Sequence, residues 1–468
     1  MLMSEERLVQ IQRAVADQKL QRAVYSATAR LKEKRVEVVA EDQLPEYQEL
    51  REQARLIKKH ALENLDYYLE QFEANVIAHG GKVIWARNGD EAADFILETA
   101  RRTGANMIVK SKSMVTEEIH LNDRLEKHGL ETVETDLGEY IQQLAHEPPF
   151  HIIAPACHKT RQDIAEIFRK SLNVECGDEP ESQAALARRT LREKFLAAGI
   201  GISGANFLVA DSGAITIVEN EGNARLCTTA PRVHIAVTGI EKIIPRAQDL
   251  AVFLKLLARS ATGQLLTVYT SFLSGPRRTG ETDGPDEFYV VLMDNGRTKL
   301  LADREKRESL HCIRCGACLN ACPVYRKIGG HNYPSTYSGP IGAIITPQYQ
   351  GVMSNPWLPF ASSLCGACAE VCPVKIDIPK ILLDLRREVV AEKTKSGGGL
   401  ERLAFRGYSW LMQRPRLYAL AGRLAAIGAH LPFTTSIGPA AKWASQREVP
   451  MPASESFRSQ WRKRKGAK

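Results

Sequence analysis

Seven of the ten cysteines fall between Cys312 and Cys372, in two groups whose spacing indicates one kind of metal chemistry. The first group, HCIRCGACLNACPVY, is a complete C-x2-C-x2-C-x3-C-P run, in which three closely spaced thiolates hold one iron–sulfur cubane and the fourth ligates a second cluster. The second group, SSLCGACAEVCPV, keeps this spacing but has Ser362 in place of the first cysteine. A structural zinc site needs four ligands at two knuckles, not seven with two Cys-Pro endings. The spacing therefore indicates iron–sulfur clusters.

The fourth cysteine of each run is expected to ligate the cluster of the other run, which divides the seven thiolates into four and three. The first cluster is assigned to Cys312, Cys315, Cys318 and Cys372, and the second to Cys322, Cys365 and Cys368. We expect the first to be [4Fe-4S]. The second has three thiolates, so it is either a [4Fe-4S] cluster completed by Ser362, solvent or a small molecule, or a [3Fe-4S] cluster. His331, between the motifs, is a second candidate for the open position.

The rest of the composition indicates a globular chain of several domains. Its 468 residues exceed what one ordinary core holds, and an apolar content of 44% and a charged content of 25% are typical of globular proteins. No apolar run approaches the roughly 18–20 residues that a membrane-spanning helix needs, and the charged N-terminus does not resemble a secretory signal. Clustered cysteines also differ from the dispersed cysteines of a secreted disulfide scaffold. We therefore expect a cytoplasmic protein.

Positive charge is concentrated in the C-terminal part of the chain. Residues 391–468 contain 15 Lys or Arg against 4 Asp or Glu, a net charge of +11, whereas the first 390 residues have a net charge of −3. The segment KSGGGL within this region predicts a flexible linker. We expect this region to dock to an acidic partner subunit or to an anionic membrane surface, and we expect no nucleic-acid partner. The alternative is a solvated tail with no docking role.

Periodicity divides the chain into four predicted domains. Residues 5–31 and 46–78 have the charged, apolar-periodic pattern of long helices, with Pro45 between them. From residue 82, the segments KVIWA, NMIVKSK, ETVETD and FHIIAPA alternate with helical segments, which is the pattern of a parallel α/β sheet. The glycine-rich stretch 201–240 predicts short strands joined by tight turns. The predicted domains are a helical segment at 1–80, an α/β domain at 81–300, a mostly α-helical ferredoxin-type iron–sulfur domain at 301–385 and a basic helical tail at 386–468.

Several stretches together resemble the lactate utilisation protein B family. They are both cysteine motifs, GANFLVADSGAITIVENEGNARLCTTAPRVHIAVTGIEKI, GPRR…GPDEFYVVLMDNGR and FRSQW, and the resemblance covers nearly the whole chain. It implies an LUD-type α/β domain, like sugar-phosphate isomerases and CoA transferases in fold, and two iron–sulfur clusters held by the seven cysteines. It also implies an electron-transfer subunit of a complex that oxidises L-lactate to pyruvate. The implied partners are a cysteine-rich-domain subunit and a smaller LUD-domain subunit, with an electron acceptor that the sequence does not name.

Other functions remain open from the sequence. One is an electron-transfer subunit of a related heterodisulfide-reductase-like or glycolate-oxidase-like complex. Another is an acyl- or CoA-transferring α/β enzyme with a regulatory cluster, in which Glu219, in a glycine-rich turn after a strand, would be the nucleophile. A third is an assembly scaffold. No G-x-G-x-x-G fingerprint opens a helix after a strand, so the sequence has no NAD or flavin signature.

A strand–turn–helix segment predicts an anion site in the α/β domain. Lys110, Lys112 and Ser113 follow a predicted strand and precede a predicted helix. Amide dipoles and ammonium groups at such a position favour a carboxylate or a phosphate. The alternative is that these are exposed basic turn residues, just as Glu219 could be a solvated glutamate.

Overall fold

The computed structural model describes residues 3–395, 399–429, 441, 444, 453 and 455–466. Residues 1–389 form one compact unit, and residues 390–468 form a second. The first unit contains the N-terminal helices, the α/β sheet and the cysteine-rich segment, which comprises residues 301–385 and holds both cysteine motifs. The predicted domain boundaries near residues 80 and 300 therefore lie inside one packed unit, and the division into four domains stays a prediction.

The N-terminal region consists of four helices, where the sequence predicted two. The first predicted helix is interrupted at Asp17, whose side chain accepts hydrogen bonds from the N–H groups of Lys19 and Leu20 and so begins a new helix. The second is interrupted at Asn64. The four helices are α1 (Glu5–Ala16), α2 (Gln18–Val38), α3 (Tyr47–Glu63) and α4 (Leu65–Ala78).

A six-stranded sheet, in which all neighbouring strands are parallel, forms the centre of the α/β region. This confirms the predicted α/β class. A strand sequence such as EFYVVLM contains few polar residues because both faces of a parallel sheet are covered. In spatial order the strands are β1 (Lys82–Ala86), β10 (Glu287–Met293), β7 (Val233–Gly239), β4 (Ile200–Ser203), β2 (Met107–Lys110) and β3 (Glu131–Glu134).

Eight helices lie between the strands of the α/β region. The predicted helix at 114–128 is split at His120, whose backbone is left-handed with φ of 51°. The predicted helix from Thr160 is present, and Thr160 caps it together with Asp163. The helices are α5 (Gly89–Thr103), α6 (Met114–Glu118), α7 (Leu121–Glu126), α8 (Leu137–Ala145), α9 (Arg161–Leu172), α10 (Pro180–Ala197), α11 (Asn223–Thr229) and α12 (Leu250–Thr262).

The strand predicted at FHIIAPA, residues 150–156, is wrong. The segment is a loop, although Phe150 and Ile152 are buried. The N–H of Phe150 donates to the Pro155 carbonyl (2.9 Å), and the Phe150 carbonyl accepts a hydrogen bond from the Tyr325 hydroxyl (2.8 Å). Both backbone polar groups of Phe150 are therefore satisfied without a sheet. Burial against the cysteine-rich segment makes the run apolar, and periodicity alone cannot distinguish such a loop from a strand.

The glycine-rich stretch contributes to a second sheet of four short strands, as its composition predicted. Their spatial order is β8 (Ile243–Ile244), β5 (Phe207–Val209), β6 (Ala214–Glu219) and β9 (Tyr269–Leu273). The turn between β5 and β6 needs Gly213, which has a left-handed backbone (φ 63°). A Cβ at this position would lie 2.7 Å from the backbone carbonyl carbon of Asn75 in α4. This glycine thus allows the second sheet to pack against the N-terminal helices.

The cysteine-rich segment shares an apolar core with α2, α3 and α12. Five of the seven motif cysteines are buried in that core, so the cluster loops depend on residues distant in sequence for their packing. The helices of this segment are α13 (Arg297–Ala302), α14 (Ala317–Ala321), α15 (Pro323–Ile328), α16 (Gly339–Gln350), α17 (Ala367–Glu370) and α18 (Ile378–Lys395).

The C-terminal unit contains three further helices in its described residues. They are α19 (Gly399–Met412), α20 (Pro415–Ala429) and α21 (Phe457–Gly466). Residues 396–398 of the predicted flexible linker lie outside the described residues. Large apolar side chains on α19 and α20 are exposed, among them Leu403, Phe405, Trp410, Leu420 and Leu424. None of the helices in the described ranges combines the length and apolar character that crossing a membrane requires.

Candidate iron–sulfur site

The two cysteine loops, residues 312–322 and 362–372, have the same pattern of left-handed backbone positions. In each loop, the second position of the C-x2-C-x2-C spacing is flanked by two residues with left-handed backbone. These are Arg314 (φ 61°) and Gly316 (φ 73°) in the first loop, and Leu364 (φ 54°) and Gly366 (φ 84°) in the second. A short helix, α14 or α17, begins directly after the glycine. Left-handed backbone is rare for residues other than glycine, so its recurrence at equivalent positions shows that both loops fold in the same way.

The thiols of the first predicted ligand set are close enough to affect one another. Burial raises the pKa of Cys315 to about 12, and Cys372 and Cys312 contribute to the increase. Burial likewise raises the pKa of Cys318 well above its ordinary value, and Cys315 and Cys312 add to it. Charges act strongly on one another only over short distances, so these four side chains are neighbours.

The second predicted ligand set forms an adjoining group. Burial raises the pKa of Cys368 to about 12, and Cys322 and Cys365 contribute. Burial is the main cause of the raised pKa of Cys318, and thiols of both sets, including Cys368, add to the increase. The two sets therefore lie side by side. Cys365 differs from the others because it is exposed, and the N–H of Ala367 lowers its pKa.

This donor set fits iron–sulfur clusters. Buried thiolates repel one another, so they can ionise together only around cations such as cluster iron. Backbone N–H groups also face the sulfurs and would help to set a cluster's potential. Three of them donate to ligand Sγ atoms at 3.4 Å each: Arg314 to Cys312, Tyr325 to Cys322 and Ile376 to Cys372.

The two candidates for the open ligand position lie in different surroundings. Ser362 is half-buried at the start of the second loop, and its Oγ accepts a hydrogen bond from the N–H of Leu364 (3.1 Å). His331 packs against His158, with ring centroids 4.9 Å apart, and its Nε2 donates to the Pro148 carbonyl (2.8 Å). The side chain of His331 is therefore engaged with the loop around residues 147–158, whereas Ser362 belongs to the motif.

Two arginines from the N-terminal helices hold the second cysteine loop, and the sequence analysis missed both. Arg51 in α3 donates to the Cys372 carbonyl through Nε (2.9 Å) and Nη2 (2.8 Å), and to the Glu370 carbonyl through Nη2 (2.8 Å). Arg35 in α2 donates to the Val371 carbonyl (3.2 Å). Both side chains are buried. The sequence signal was only an arginine within an amphipathic helix, which is ordinarily exposed.

Replacing Arg51 with methionine is expected to loosen the first cluster without unfolding the protein. The variant leaves the buried Cys372 carbonyl without its donor, at a cost of about 1–3 kcal/mol, and also removes the hydrogen bond to the partly exposed Glu370 carbonyl. We expect iron to be released to a chelator about tenfold faster than in the wild type. Arg55→Met, one turn further along α3 at a partly exposed ion pair, is the control. Equal release rates in all three proteins would contradict this role of Arg51.

A buried ion network connects the cysteine-rich segment to the end of β7. Glu241 accepts a hydrogen bond from Arg297 Nε (2.5 Å) and lies 3.5 Å from Arg314 Nη2. Arg297 also donates twice to Glu118, at 2.9 and 3.0 Å. Burial opposes ionisation of Glu241, but Arg297 and Arg314 outweigh it and lower the pKa of Glu241 to about 2. Since the N–H of Arg314 also bonds Cys312, the network joins the sheet to the first cluster loop.

A cleft of about 280 Å³ lies at the carboxyl ends of β2, β3, β4 and β7. Parallel sheets commonly bind ligands at this edge, outside the strand ends. Lys112 and Ser113, two of the three residues predicted to bind an anion, line the cleft. Lys110 does not, because its ammonium is fully buried and paired with Glu134 (2.7 Å) and Glu117 (3.0 Å). Two of the three predicted residues therefore lie at the cleft, whereas Lys110 forms ion pairs with two carboxylates.

Two further cations that the sequence analysis missed line the same cleft. Lys242 follows β7, and Arg314 comes from the first cysteine loop. Burial, reinforced by Arg314, lowers the pKa of Lys242 to about 8, which leaves the ammonium mostly charged at neutral pH. Arg314 lies over the ring of Tyr337 (4.3 Å), and its Nη1 is buried with no hydrogen-bond partner among the described residues. With Lys112, the cleft therefore presents three cationic side chains to a small anion.

Carboxylates also line the cleft, and each of them accepts hydrogen bonds from backbone N–H groups. Glu219 accepts hydrogen bonds from the N–H groups of Ala224 (2.9 Å) and Arg225 (2.8 Å) at the start of α11. Glu221 accepts one from the first residue of α8 (3.0 Å). Burial, with a contribution from Asp136, raises the pKa of Glu221 to about 7. Because both oxygens of Glu219 accept backbone hydrogen bonds, this arrangement favours a helix-capping role over that of a free nucleophile.

Three family models match consecutive parts of the chain. The LUD domain matches residues 69–293, the 4Fe-4S dicluster domain matches residues 308–376, and the C-terminal domain of lactate utilisation protein B matches residues 384–466. The second match contains all seven motif cysteines. It supports the prediction of iron–sulfur clusters from the cysteine spacing.

Curated relatives match almost the whole chain. "Lactate utilization protein B" of Bacillus cytotoxicus is 45% identical over 457 residues, which cover 96% of this chain and 95% of the relative. The protein of the same name from Anoxybacillus flavithermus is 46% identical over 451 residues, with coverages of 95% and 94%. A crystal structure of a DUF162 family protein from Deinococcus radiodurans is 12% identical and covers 49% of this chain and 98% of its own, with a TM-score of 0.28 that is too low to inform the fold. The chain belongs to the lactate utilisation protein B family.

Proposed function

We propose that this chain is the iron–sulfur electron-transfer subunit of a complex that oxidises L-lactate to pyruvate. The observation that carries the proposal is the pair of adjoining thiol sets in one core, in a member of a family named for lactate utilisation. When bound, the clusters would supply one-electron transfer. We propose two clusters: a [4Fe-4S] cluster on Cys312, Cys315, Cys318 and Cys372, and a [4Fe-4S] or [3Fe-4S] cluster on Cys322, Cys365 and Cys368.

Exposure suggests the direction of electron flow through the chain. Of the seven motif cysteines, all of which the structure describes, only Cys365 is exposed. Arg314, whose N–H bonds Cys312 of the first set, lines the cleft. We propose that electrons enter at the first cluster beside the cleft and leave from the second, nearer the surface, to a partner. The location we propose is the cytoplasm, and the likeness of the α/β domain to isomerases and CoA transferases stays a prediction.

The function is tested by adding L-lactate to the purified complex under anaerobic conditions. We expect the visible absorbance of the clusters to bleach with lactate and not with D-lactate or glycolate. Dithionite, which reduces the clusters directly, gives the full amplitude for comparison. Clusters that respond to dithionite but not to L-lactate would contradict the proposal. Bleaching by glycolate alone would favour a glycolate-oxidase-like complex instead.

We also propose that the cleft binds a small carboxylate such as lactate or pyruvate. Lys112, Lys242 and Arg314 supply positive charge, and the position at the carboxyl ends of parallel strands is one where ligands commonly bind. Asp136, Glu219 and Glu221 line the same cleft. These carboxylates would disfavour anions of higher charge, so we expect a monocarboxylate to bind better than phosphate.

Lys242→Met and Lys112→Ala are each expected to weaken carboxylate binding about tenfold or more. A hydrogen bond to a charged group contributes about 1.5–3 kcal/mol, and each variant removes one such donor. Calorimetry with L-lactate, pyruvate and phosphate against each protein provides the measurement. Lys59→Ala, at an exposed position on α3, is the control and should bind as the wild type does. Identical isotherms for the wild type and both cleft variants would exclude the cleft as the site.

The partners are proposed to be a cysteine-rich-domain subunit and a smaller LUD-domain subunit, together with an acceptor still to be identified. Residues 391–468, with a net charge of +11, are proposed to dock to an acidic partner subunit or to an anionic membrane surface. We expect truncation after Gly399 to weaken association with the partners. Added salt should weaken it as well, because screening shortens to about 8 Å near physiological ionic strength. An association that resists both changes would contradict this role.

A further inference from the structure

The two cysteine loops are related position by position. Each of the last three cysteines of the first run has a counterpart fifty positions later in the second, and so have the glycine and the proline of the motif. The left-handed residues and the following short helix also coincide. The counterpart of Cys312 in this correspondence is Ser362. A sequence alignment of the motifs gives the same pair, but only the structure shows how the two side chains are placed.

The Oγ of Ser362 accepts the same backbone hydrogen bond in its loop that the Sγ of Cys312 accepts in the first loop. Cys312 Sγ accepts a hydrogen bond from the N–H of Arg314, two residues further on, at 3.4 Å. Ser362 Oγ accepts the corresponding hydrogen bond from the N–H of Leu364 at 3.1 Å. The shorter distance follows from the smaller radius of oxygen. The side chain is therefore turned in the direction that the first loop uses for a cluster ligand.

Arg386 holds the backbone around Ser362 through hydrogen bonds, and the Ser362 hydroxyl can release its proton when it binds iron. The Ser362 carbonyl accepts a hydrogen bond from Arg386 Nη2 (3.0 Å), and Arg386 Nε donates to the Pro359 carbonyl (2.8 Å). Within the part of the chain that the structure describes, the Ser362 hydroxyl donates to no other group. Coordination of iron through Oγ would therefore break no existing bond, and the accepted hydrogen bond from Leu364 would persist, as the one to Cys312 does.

We propose that Ser362 Oγ is the fourth protein ligand of the second cluster, alongside Cys322, Cys365 and Cys368. The second cluster is then [4Fe-4S], with one iron bound by a serine oxygen. Forming the Fe–O bond releases the hydroxyl proton to solvent and changes no oxidation state. This inference rests on the proposed presence of a second cluster, but not on lactate being the electron donor.

The test compares Ser362→Ala and Ser362→Cys with the wild type after anaerobic cluster assembly with iron-57. The readouts are iron per chain, the Mössbauer spectrum and the EPR signal of a three-iron cluster after mild oxidation. Ser354→Ala is the control, because Ser354 is exposed and lies in the segment between the two cysteine motifs. None of these readouts requires lactate or a partner, so they distinguish a wrong ligand from a wrong function.

The wild type should contain about eight iron atoms per chain, one of them with a distinct Mössbauer signature of mixed oxygen and sulfide ligation. Ser362→Ala should lose that iron readily, giving about seven atoms per chain and a strong three-iron EPR signal. Ser362→Cys should keep eight, lose the distinct signature and resist oxidation. Identical spectra and iron contents in the wild type and Ser362→Ala would overturn the proposal. So would a distinct iron that persists unchanged in Ser362→Cys.

Discussion

Replacing Cys315 with alanine is expected to abolish reduction by L-lactate and to lower the iron content from about eight to about four atoms per chain. Cys315 is buried, and Cys372 and Cys312 of the same ligand set contribute to the increase in its pKa. Alanine offers no donor atom, and the buried position gives solvent little access to replace one. The first cluster should therefore be lost. The second should remain, because its ligands are not altered, and should still be reduced by dithionite.

The same substitution at a cysteine outside both motifs separates cluster loss from loss of packing. Cys227 is as fully buried as Cys315, in α11 of the α/β region. Cys227→Ala should therefore retain all the iron and the lactate response, even if its stability falls. Full iron content or undiminished lactate-dependent bleaching in Cys315→Ala would contradict the assignment of this residue. A loss of both clusters would show that the two sites assemble together.

The part of the site that could be predicted from the sequence is local. The predicted cluster ligands lie in two short runs, and the chemistry of a cubane imposes such spacing directly on the sequence. The same holds for the parallel sheet, since apolar strands alternating with helices are visible in short windows. Lys112 and Ser113 were predicted on the same local basis, because they follow a strand, and the structure places both at the cleft beyond the strand ends.

The residues that were missed act over long separations in the sequence. Arg51 bonds the Cys372 carbonyl across 321 positions, and no local pattern marks an arginine that is going to be buried. Lys110 was placed in an anion site, although Glu134 and Glu117 neutralise it in the interior. The apolar loop 150–156 was predicted as a strand because its partner, the cysteine-rich segment, begins about 150 residues later. Each error concerns tertiary packing, which single-sequence periodicity does not contain.

Arg314 connects the features that the sequence analysis treated separately. Its N–H donates to the sulfur of Cys312, the residue lines the cleft, and its Nη2 lies 3.5 Å from Glu241, just after β7. A carboxylate bound in the cleft would therefore be held by a residue whose own backbone contacts a cluster ligand. This arrangement favours a cleft and a first cluster that act as one site. Arg314 also belongs to the buried ion network of Glu241 and Arg297.

Removing the central cation of that network should be strongly destabilising. Arg297 is 1% exposed and pairs with Glu241, also 1% exposed, and with Glu118. Arg297→Met would leave both carboxylates buried without this partner, and breaking a buried pair in this way typically costs about 3–5 kcal/mol. For a packed unit of this size we expect the midpoint of thermal unfolding to fall by about 4–6 °C. Scanning calorimetry of the cluster-loaded proteins at one fixed heating rate provides the measurement.

An exposed ion pair in the same unit is the matched control. Arg102 forms two hydrogen bonds with Glu287, at 2.8 and 2.7 Å, but its side chain is 49% exposed. Arg102→Met should therefore cost less than about 1 kcal/mol and shift the midpoint only slightly. Adding Glu241→Gln to Arg297→Met should restore part of the loss, because the second change removes one of the two carboxylates that Arg297 neutralised. Equal midpoints for Arg297→Met and Arg102→Met would mean that the buried network contributes no more to stability than a surface pair.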